Sequence, residues 1–307
     1  MKTYRVKQVD AFTSVPFRGN FAGVVPAADG LTDAQMQLIA REMNVSETAF
    51  VLAPTQKNAD IQIRWFTPTS EVDLCGHATV AAFHGLAEDG LAGMKTEGQH
   101  LFRVQTKSGV LNVRVEKNFY NIVVEMELPV PRFRKKKSVP ASIAKALGLK
   151  ARDQSPELPV VADSDLFIPL KTIASLKSLS PAFGALRNAS GTTGYRGICL
   201  FTKETVDKTS SFHSRFFAPA FGIDEDPVTG SANGPLGVYM HQFVPGSEAS
   251  LHARELSDGR VEYVGEQGDF MGRQGRVKVR VTPGPKGVER VAIAGEAFTV
   301  LESTLRF

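Results

Sequence analysis

The sequence predicts an α+β protein of two pseudo-symmetric lobes, each a curled β-sheet wrapped around a central α-helix. Residues 215–234 repeat in kind residues 64–79: an arginine and two aromatics end a strand, a proline and an acidic loop follow, and a glycine opens an apolar run. The run 78–87 is apolar on nearly every side, which is typical of an enclosed helix. A chain of 307 residues also suits two domains of about 150 residues each. We therefore expect one half-fold made twice.

The first lobe is expected to span residues 1–130. Its helix near residues 31–43 begins where Thr32 or Asp33 can cap it, and residues 44–47 close it. Alternation and flanking turn residues define the other elements. They are strands at 6–12, 21–25, 48–52 and 61–66, the first motif helix from 78 to 87, and strands at 102–106, 110–116 and 122–128.

The second lobe is expected to span residues 131–307, after the Pro-Val-Pro at 129–131, and the C-terminal strand is free to return to the first lobe. Its motif helix begins at Gly230. The remaining elements are helices at 140–147 and 175–179, strands at 158–162, 165–169 and 197–202, a strand ending at 215–217, and strands at 276–281 and 288–294.

Composition and charge limit the function classes. With 42% hydrophobic and 22% charged residues the chain is typical of a soluble globular protein. The basic run 132–137 is interpreted as a solvated linker, since no aromatic-rich nucleic-acid module surrounds it. No signal-peptide core follows the N-terminus, and no apolar run approaches a membrane span. Cys75 and Cys199 are far apart, which favours a reduced, cytoplasmic setting.

The familiar cofactor signatures are missing. GxGxxG, GxxxxGK[ST] and HExxH do not occur, and the six histidines include no i, i+4 pair. His77 and His84 are seven residues apart, but core or surface histidines are the favoured interpretation over a metal pair. We therefore expect no cofactor and no metal.

Acid and base groups gather around the two expected helix starts. Two helix N-termini that face each other form a small anion-binding cleft, where backbone N–H groups bind a substrate carboxylate and a positioned acid moves a proton. On spacing alone, however, the favoured interpretation of Asp73 and Asp226 is that they only cap their helices. The groups in question are Asp73, Cys75, His77, Glu225, Asp226, Thr229 and Ser231.

Six short segments, taken in order, resemble the signatures of the PhzF family. That family is named for the phenazine-biosynthesis isomerase and has the diaminopimelate epimerase-like fold. The matching segments are Asp-Ala-Phe at 10–12, Phe-Arg-Gly-Asn at 17–20, Ser-Glu-Thr-Ala-Phe at 46–50, Arg-Trp-Phe-Thr-Pro at 64–68, Asp-Leu-Cys-Gly-His-Ala-Thr at 73–79 and Glu-Asp-Pro-Val-Thr-Gly-Ser-Ala at 225–232.

The resemblance implies a cofactor-independent isomerase that moves a proton on a small carboxylic acid in a cleft between the lobes. Glu47 would be the acid/base, with its pKa raised by burial. His77 and Asp226 would bind the substrate or relay the proton. Backbone at the helix starts, Gly76 and Gly230, together with Ser231, would hold the substrate carboxylate. The resemblance also allows a homodimer.

Two other functions stay open. Epimerases and racemases of this fold use two cysteines, one at each helix start. Cys75 stands at the first position, but Thr229 stands at the second and is too weak a base, so this alternative is disfavoured and Cys75 is interpreted as a packing residue. A non-catalytic binding protein is the other alternative. Four polar groups converging on one cleft, Glu47, His77, Asp226 and Ser231, speak against it.

Overall fold

The computed structural model describes residues 2–244, 246, 251–285 and 287–306. The chain divides into two compact units, Met1–Glu127 with Ala292–Phe307 and Leu128–Val291. None of the helices in the described residues is long and apolar enough to cross a membrane.

The first unit is a sheet that encloses one helix. Its elements are β1 (Thr3–Ala11), β2 (Asn20–Val25), α1 (Asp33–Met43), β3 (Thr48–Leu52), β4 (Ile61–Phe66), β5 (Glu71–Val72), α2 (Gly76–Glu88), β6 (Gly98–Thr106), β7 (Gly109–Lys117) and β8 (Ile122–Leu128). The last strand of the chain, β19 (Ala297–Arg306), pairs antiparallel with β1.

Strand order in this sheet is β19-β1-β2-β3-β4-β6-β7-β8, with parallel pairs at β2–β3 and β4–β6. Helix α2 packs against β1, β2, β3, β7 and β19. Every residue of α2 from Gly76 to Ala87 is buried, as its apolar sequence requires. The predicted enclosed helix is confirmed.

Helix α1 begins as its sequence predicts. Thr32 is the N-cap, and its hydroxyl accepts a hydrogen bond from the amide of Gln35 while the Gln35 side chain accepts from the amide of Thr32. This capping box satisfies two of the helix-start N–H groups. The helix ends at Asn44, which adopts the left-handed conformation with φ of 51°.

The second unit repeats this plan. Its elements are β9 (Arg134–Lys135), α3 (Ala141–Leu147), β10 (Val161–Ala162), β11 (Leu166–Pro169), α4 (Ile173–Lys177), α5 (Phe183–Thr193), β12 (Ile198–Thr202), β13 (Phe212–Ala218), β14 (Ile223–Asp226), α6 (Gly230–Phe243), β15 (Arg254–Glu255), β16 (Val261–Gln267) and β17 (Gly275–Gly284), with 3₁₀ turns at Ala151–Asp153, Pro219–Phe221 and Asp269–Met271. Strand β18 (Gly287–Gly295) begins in this unit, and its residues from Ala292 belong to the first unit.

The repeat extends to strand register. The run β2-β3-β4-β6-β7 pairs parallel, antiparallel, parallel and antiparallel, and the run β11-β12-β13-β16-β17 does the same. Arg64 on β4 faces Phe50, and Arg215 on β13 faces Leu200 at the matching point. In each unit the strand that carries the arginine forms a hairpin with the short strand after it, β5 or β14, and the enclosed helix begins after that short strand. The predicted pseudo-symmetric α+β fold is confirmed.

One ion pair recurs in both hairpins. Arg64 donates to both carboxylate oxygens of Glu71 at 2.7 and 3.0 Å, and Arg215 donates to both oxygens of Glu225 at 2.7 and 2.8 Å. Such bidentate pairs fix geometry as well as adding energy. The Arg-aromatic-aromatic pattern of the sequence therefore marks the clamp that closes the loop before each enclosed helix. It also assigns Glu225 to this clamp.

Some predicted elements differ from the structure. The strand expected at 158–162 covers only Val161–Ala162, and the helix expected at 175–179 lies at Ile173–Lys177. Helix α5 was not predicted because two glycines and polar residues hide its pattern, and only Leu186, Ala189 and Ser190 are buried. Strands β16 and β19 were also not predicted. Strand β19 pairs with β1 at the other end of the chain, whereas β16 pairs with the neighbouring strand β17.

Candidate active site

The start of α2 carries the first group of site residues. Cys75 is the N-cap residue and Gly76 and His77 are the first two helical residues; no side chain caps this helix, and its first turn holds no acidic residue. The side chain of Asp73 is 73% exposed. Capping by Asp73 is therefore wrong, and the positive end of the helix dipole is left without a carboxylate of its own helix.

Glu47 lies beside this helix start, in the segment between α1 and β3. Its side chain is only 12% exposed, and its Oε2 lies 3.3 Å from Nε2 of His77. The Ser46 hydroxyl lies 3.3 Å from the same nitrogen, and the Cys75 Sγ lies 3.5 Å from Nδ1. The main chain of Glu47 is fixed because its carbonyl accepts the amide of Gly23 at 3.0 Å. The structure thus brings together two sequence-predicted residues, Glu47 and His77.

Burial raises the pKa of the Glu47 carboxyl above its ordinary value, and hydrogen bonds from Ser46 and Cys75 only partly oppose the shift. Oε2 of Glu47 is buried and, although close to His77, has no partner in hydrogen-bond geometry among the described residues. A carboxyl with a raised pKa is suited to give and take a proton near neutral pH.

The start of α6 carries the second group. Thr229 is the N-cap residue, Gly230 and Ser231 follow as the first helical residues, and again no side chain caps the helix. Asp226 does not cap it either: its carboxylate accepts a hydrogen bond from the Thr229 hydroxyl. The Gln267 side chain donates to the Asp226 carbonyl at 2.8 Å and accepts the Thr229 amide at 3.0 Å.

An arginine absent from the sequence-based assignment contacts Ser231. Nη1 of Arg196 donates to the Ser231 hydroxyl at 3.0 Å, and its Nε donates to Asp165 at 2.9 Å. Asp165 is 3% exposed, whereas Arg196 is 40% exposed. The guanidinium also lies over the Phe216 ring, 5.7 Å from its centroid. The buried carboxylate and the ring hold an accessible positive charge at the start of α6.

Strand register matches these two groups residue for residue. Glu47 and Gly197 immediately precede β3 and β12, and their carbonyls accept the amides of Gly23 and Leu166 at 3.0 and 2.9 Å. Ser46 therefore corresponds to Arg196, and both contact the second residue of their enclosed helix, His77 or Ser231.

Chemically the two groups differ. Where the first unit has the Glu47 carboxyl, the second has Gly197, at which even a Cβ atom would lie 2.1 Å from the Phe216 ring. Where the first unit has the Cys75 thiol, the second has the Thr229 hydroxyl. The first unit therefore carries a buried carboxyl with a raised pKa beside its helix start, and the second carries a hydroxyl with a guanidinium.

Sequence reasoning missed the roles of Arg196, Asp165 and Gln267. These residues lie outside the helix-start motifs and reach the site only through strand pairing. The position of Arg196, one residue before the glycine that precedes β12, is the signal that could have marked it, because Ser46 and Glu47 precede β3 in the same way.

Comparisons with known proteins agree with this architecture. A family model described as phenazine biosynthesis-like protein, PhzC-PhzF, matches residues 9–303. The chain is 40% identical over 302 residues to "Uncharacterized isomerase YddE" of Escherichia coli (strain K12), covering 95% of each protein. It is similar to the crystal structure of the Bacillus anthracis phenazine biosynthesis protein, PhzF family, with 33% identity and a TM-score of 0.85 over 100% of both chains. A probable proline racemase from Agrobacterium radiobacter, 13% identical with a TM-score of 0.62, covers 99% of this chain and 93% of its own, and shares the fold alone.

Proposed function

The chain belongs to the phenazine biosynthesis-like family, PhzC-PhzF, and on that premise we propose that it is a cofactor-independent isomerase acting by general acid/base catalysis. Its substrate is a small carboxylic acid. Relatives named as isomerases support the reaction class. The acid/base mechanism is supported chiefly by one observation: a buried Glu47 carboxyl with a raised pKa lies 3.3 Å from His77.

In this proposal Glu47 carries the proton. Its carboxyl, whose pKa is raised by burial, gives a proton to one carbon or oxygen of the substrate and takes a proton from another position. His77 orients the carboxyl and binds the substrate, because its ring is held between Ser46 and Cys75. General acid/base catalysis of this kind contributes about 10²–10⁴-fold to rate.

The substrate carboxylate is bound by helix-start N–H groups and by the polar groups beside them. The uncapped starts at Gly76 and Gly230 offer backbone donors, and an anion there is stabilised by the helix dipole. Ser231 and Arg196 add a hydroxyl and a guanidinium at the second start. Asp226, whose carboxylate accepts from Thr229, is proposed to bind a polar substituent of the substrate or to relay its proton.

A two-base racemase is less well supported. Inversion of a carbon centre needs a base on each face, and the second unit offers Gly197 and Thr229 at the positions of Glu47 and Cys75. A hydroxyl is too weak a base to deprotonate an α-carbon. A non-catalytic binding protein would have no use for a buried, protonatable carboxyl, whose burial lowers stability.

We also propose a cytoplasmic setting, which the two widely separated cysteines favour, and a homodimer, which the family resemblance allows. Light scattering on the purified protein measures its oligomeric state. A molar mass equal to one chain across micromolar concentrations would exclude the homodimer.

Proton exchange tests the proposed function. Small carboxylic acids are incubated with the protein in deuterated buffer, and loss of C–H signals is followed by proton NMR. We expect deuterium to enter at one or both carbons of an allylic pair without inversion, and Glu47→Gln to abolish the exchange. Exchange coupled to racemisation of a stereocentre would instead establish the epimerase alternative. Undiminished exchange by Glu47→Gln would remove Glu47 from the mechanism.

A further inference from the structure

Three side chains at the start of α2 form a set of metal ligands. One ligand atom from each of Glu47, Cys75 and His77 lies within 4.8 Å of the other two. The geometry points to a Zn²⁺ site at this cluster, which would occupy the acid/base groups and block proton transfer. This departs from the sequence-based expectation of no metal, and it concerns an inhibitory ion, not a cofactor.

The three side chains lie close enough together to reach one ion. Tetrahedral zinc bound at its usual distances to sulfur, nitrogen and oxygen holds its ligand atoms about 3.3–3.6 Å apart. Here Sγ of Cys75 lies 3.5 Å from His77 Nδ1, and Oε2 of Glu47 lies 3.3 Å from His77 Nε2. Because these contacts use different ring nitrogens, binding requires the imidazole to turn so that one nitrogen serves. Thiolate, imidazole and carboxylate are the ligand types that zinc prefers.

A buried oxygen within the cluster gives further support. Oε2 of Glu47 is shielded from solvent and makes no hydrogen bond among the described residues. A buried carboxylate oxygen without such a bond is costly. A cation bound between this oxygen, the thiol of Cys75 and the ring of His77 would satisfy it. Three protein ligands would leave one position of a tetrahedral ion for water.

A second cluster of possible metal ligands is unsuitable for zinc because its carboxylates already have hydrogen-bond partners. His213, Glu266 and Asp269 also lie close together, but the oxygens of Glu266 accept the amides of Val206 and Asp207 at 2.7 Å each. The guanidinium of Arg276 binds both oxygens of Asp269 at 3.0 and 3.1 Å. A cation already neutralises this cluster.

The fold repeat gives the physical role of that second cluster. At the position of Glu266 the first unit has Gln105, whose Oε1 accepts the amides of Thr55 and Gln56 at 2.9 and 3.0 Å. A neutral amide therefore performs the same task of holding a loop. Of the two ligand clusters among the described residues, zinc binding is thus expected at Glu47, Cys75 and His77.

Direct metal binding tests this inference. The purified full chain is treated with EDTA, dialysed, and titrated with ZnCl₂ at pH 7.5 against a chromophoric chelator. Bound zinc is measured by mass spectrometry. The same protein is loaded with Co²⁺, whose thiolate ligation produces a near-ultraviolet charge-transfer band. Variants are Cys75→Ala and Glu47→Gln. The matched controls are Cys199→Ala, at the chain's other buried cysteine, and His213→Gln.

We expect one zinc per chain in the parent and in both controls. Cys75→Ala and Glu47→Gln should each weaken zinc at least tenfold, since loss of even an outer-shell partner costs about 10–100-fold. The cobalt band should appear in the parent and in Cys199→Ala.

Absence of the cobalt thiolate band in the parent would overturn the site without recourse to any variant. Zinc retained unchanged by Cys75→Ala, or lost in His213→Gln, would do the same. Circular dichroism confirms that each variant is folded. Because the readout is metal bound and not turnover, a negative result leaves the isomerase proposal untouched, and failure of the isomerase proposal leaves the zinc site untouched.

Discussion

Glu47 and Gly197 occupy the same position in the two repeats, each immediately before the strand whose register matches the other's, and only Glu47 carries a carboxyl. A side chain at Gly197 would require the Phe216 ring to move, since a Cβ atom there would lie 2.1 Å from the ring. The two repeats therefore share their backbone arrangement, but only the first has a carboxyl at this position. A single acid/base is what a proton shift needs, and two are what an inversion needs.

Removal of the Glu47 acid is the first prediction. Glu47→Gln keeps the shape of the side chain, so turnover on any substrate found by proton exchange should fall by about two to four orders of magnitude while substrate binding changes far less. Single-turnover kinetics separate the two. Glu42→Gln, on the exposed face of α1, is the control for loss of one charge. A tenfold or smaller loss of turnover would contradict the assignment.

The raised pKa of the Glu47 carboxyl predicts that the stability of the protein depends on pH, and Glu47→Gln tests this. The folded protein holds the Glu47 proton more tightly than the unfolded chain does, because burial raises the pKa of the Glu47 carboxyl. The parent's free energy of unfolding should therefore fall as pH rises from about 4.3 to the folded pKa, by about 1.4 kcal/mol for each pH unit that separates the two pKa values. Glu47→Gln lacks this loss, so its stability relative to the parent should increase with pH over that window. Urea unfolding at a series of pH values measures it, and a difference that is constant or falls with pH would contradict burial of the carboxyl.

The charge at Arg196 should select carboxylates. Arg196→Gln removes the guanidinium that contacts Ser231, so binding of a carboxylate should weaken about 10–100-fold, which corresponds to the 1.5–3 kcal/mol of a hydrogen bond to a charged group. Affinity for the matching methyl ester should barely change. Calorimetry with acid and ester measures the contrast. Arg187→Gln, at a half-exposed arginine on α5, is the control, and an equal loss in both arginine variants would exclude a local role for Arg196.

The repeated arginine–glutamate ion pair should contribute more to the free energy of unfolding in the second unit than in the first. Arg215 is buried and also donates to the carbonyls of Leu176 and Leu179, whereas the third contact of Arg64 is to the exposed Asp33. Arg215→Met leaves Glu225 and two carbonyls without donors, so it should cost about 3–5 kcal/mol.

Arg64→Met should cost less, about 1–3 kcal/mol, because water can reach part of its ion pair. Urea unfolding of the two variants compares them. Equal destabilisation, or a larger loss for Arg64→Met, would show that burial does not decide the strength of this clamp.

Local patterns in the sequence were enough to establish the plan of the protein. A strand end, a hairpin loop and an apolar helix occur twice within short segments, and these predicted the enclosed helices α2 and α6 and the two-part fold. The segment at 46–50 pointed to Glu47 through its resemblance to the PhzF family, which is recognised from the order of motifs along the chain and needs no knowledge of contacts.

Packing of the folded chain settled what local pattern left open. Capping by Asp73 and Asp226 was consistent with their spacing, but side-chain direction placed one in solvent and the other on Thr229. Pairing of β19 with β1, and the contact of Arg196 with Ser231, join residues distant in sequence, so they form only when the chain folds. The pKa of the Glu47 carboxyl depends on burial by the packed fold. Local sequence thus specifies the elements, while the environment that gives a side chain its chemistry exists only once those elements are packed.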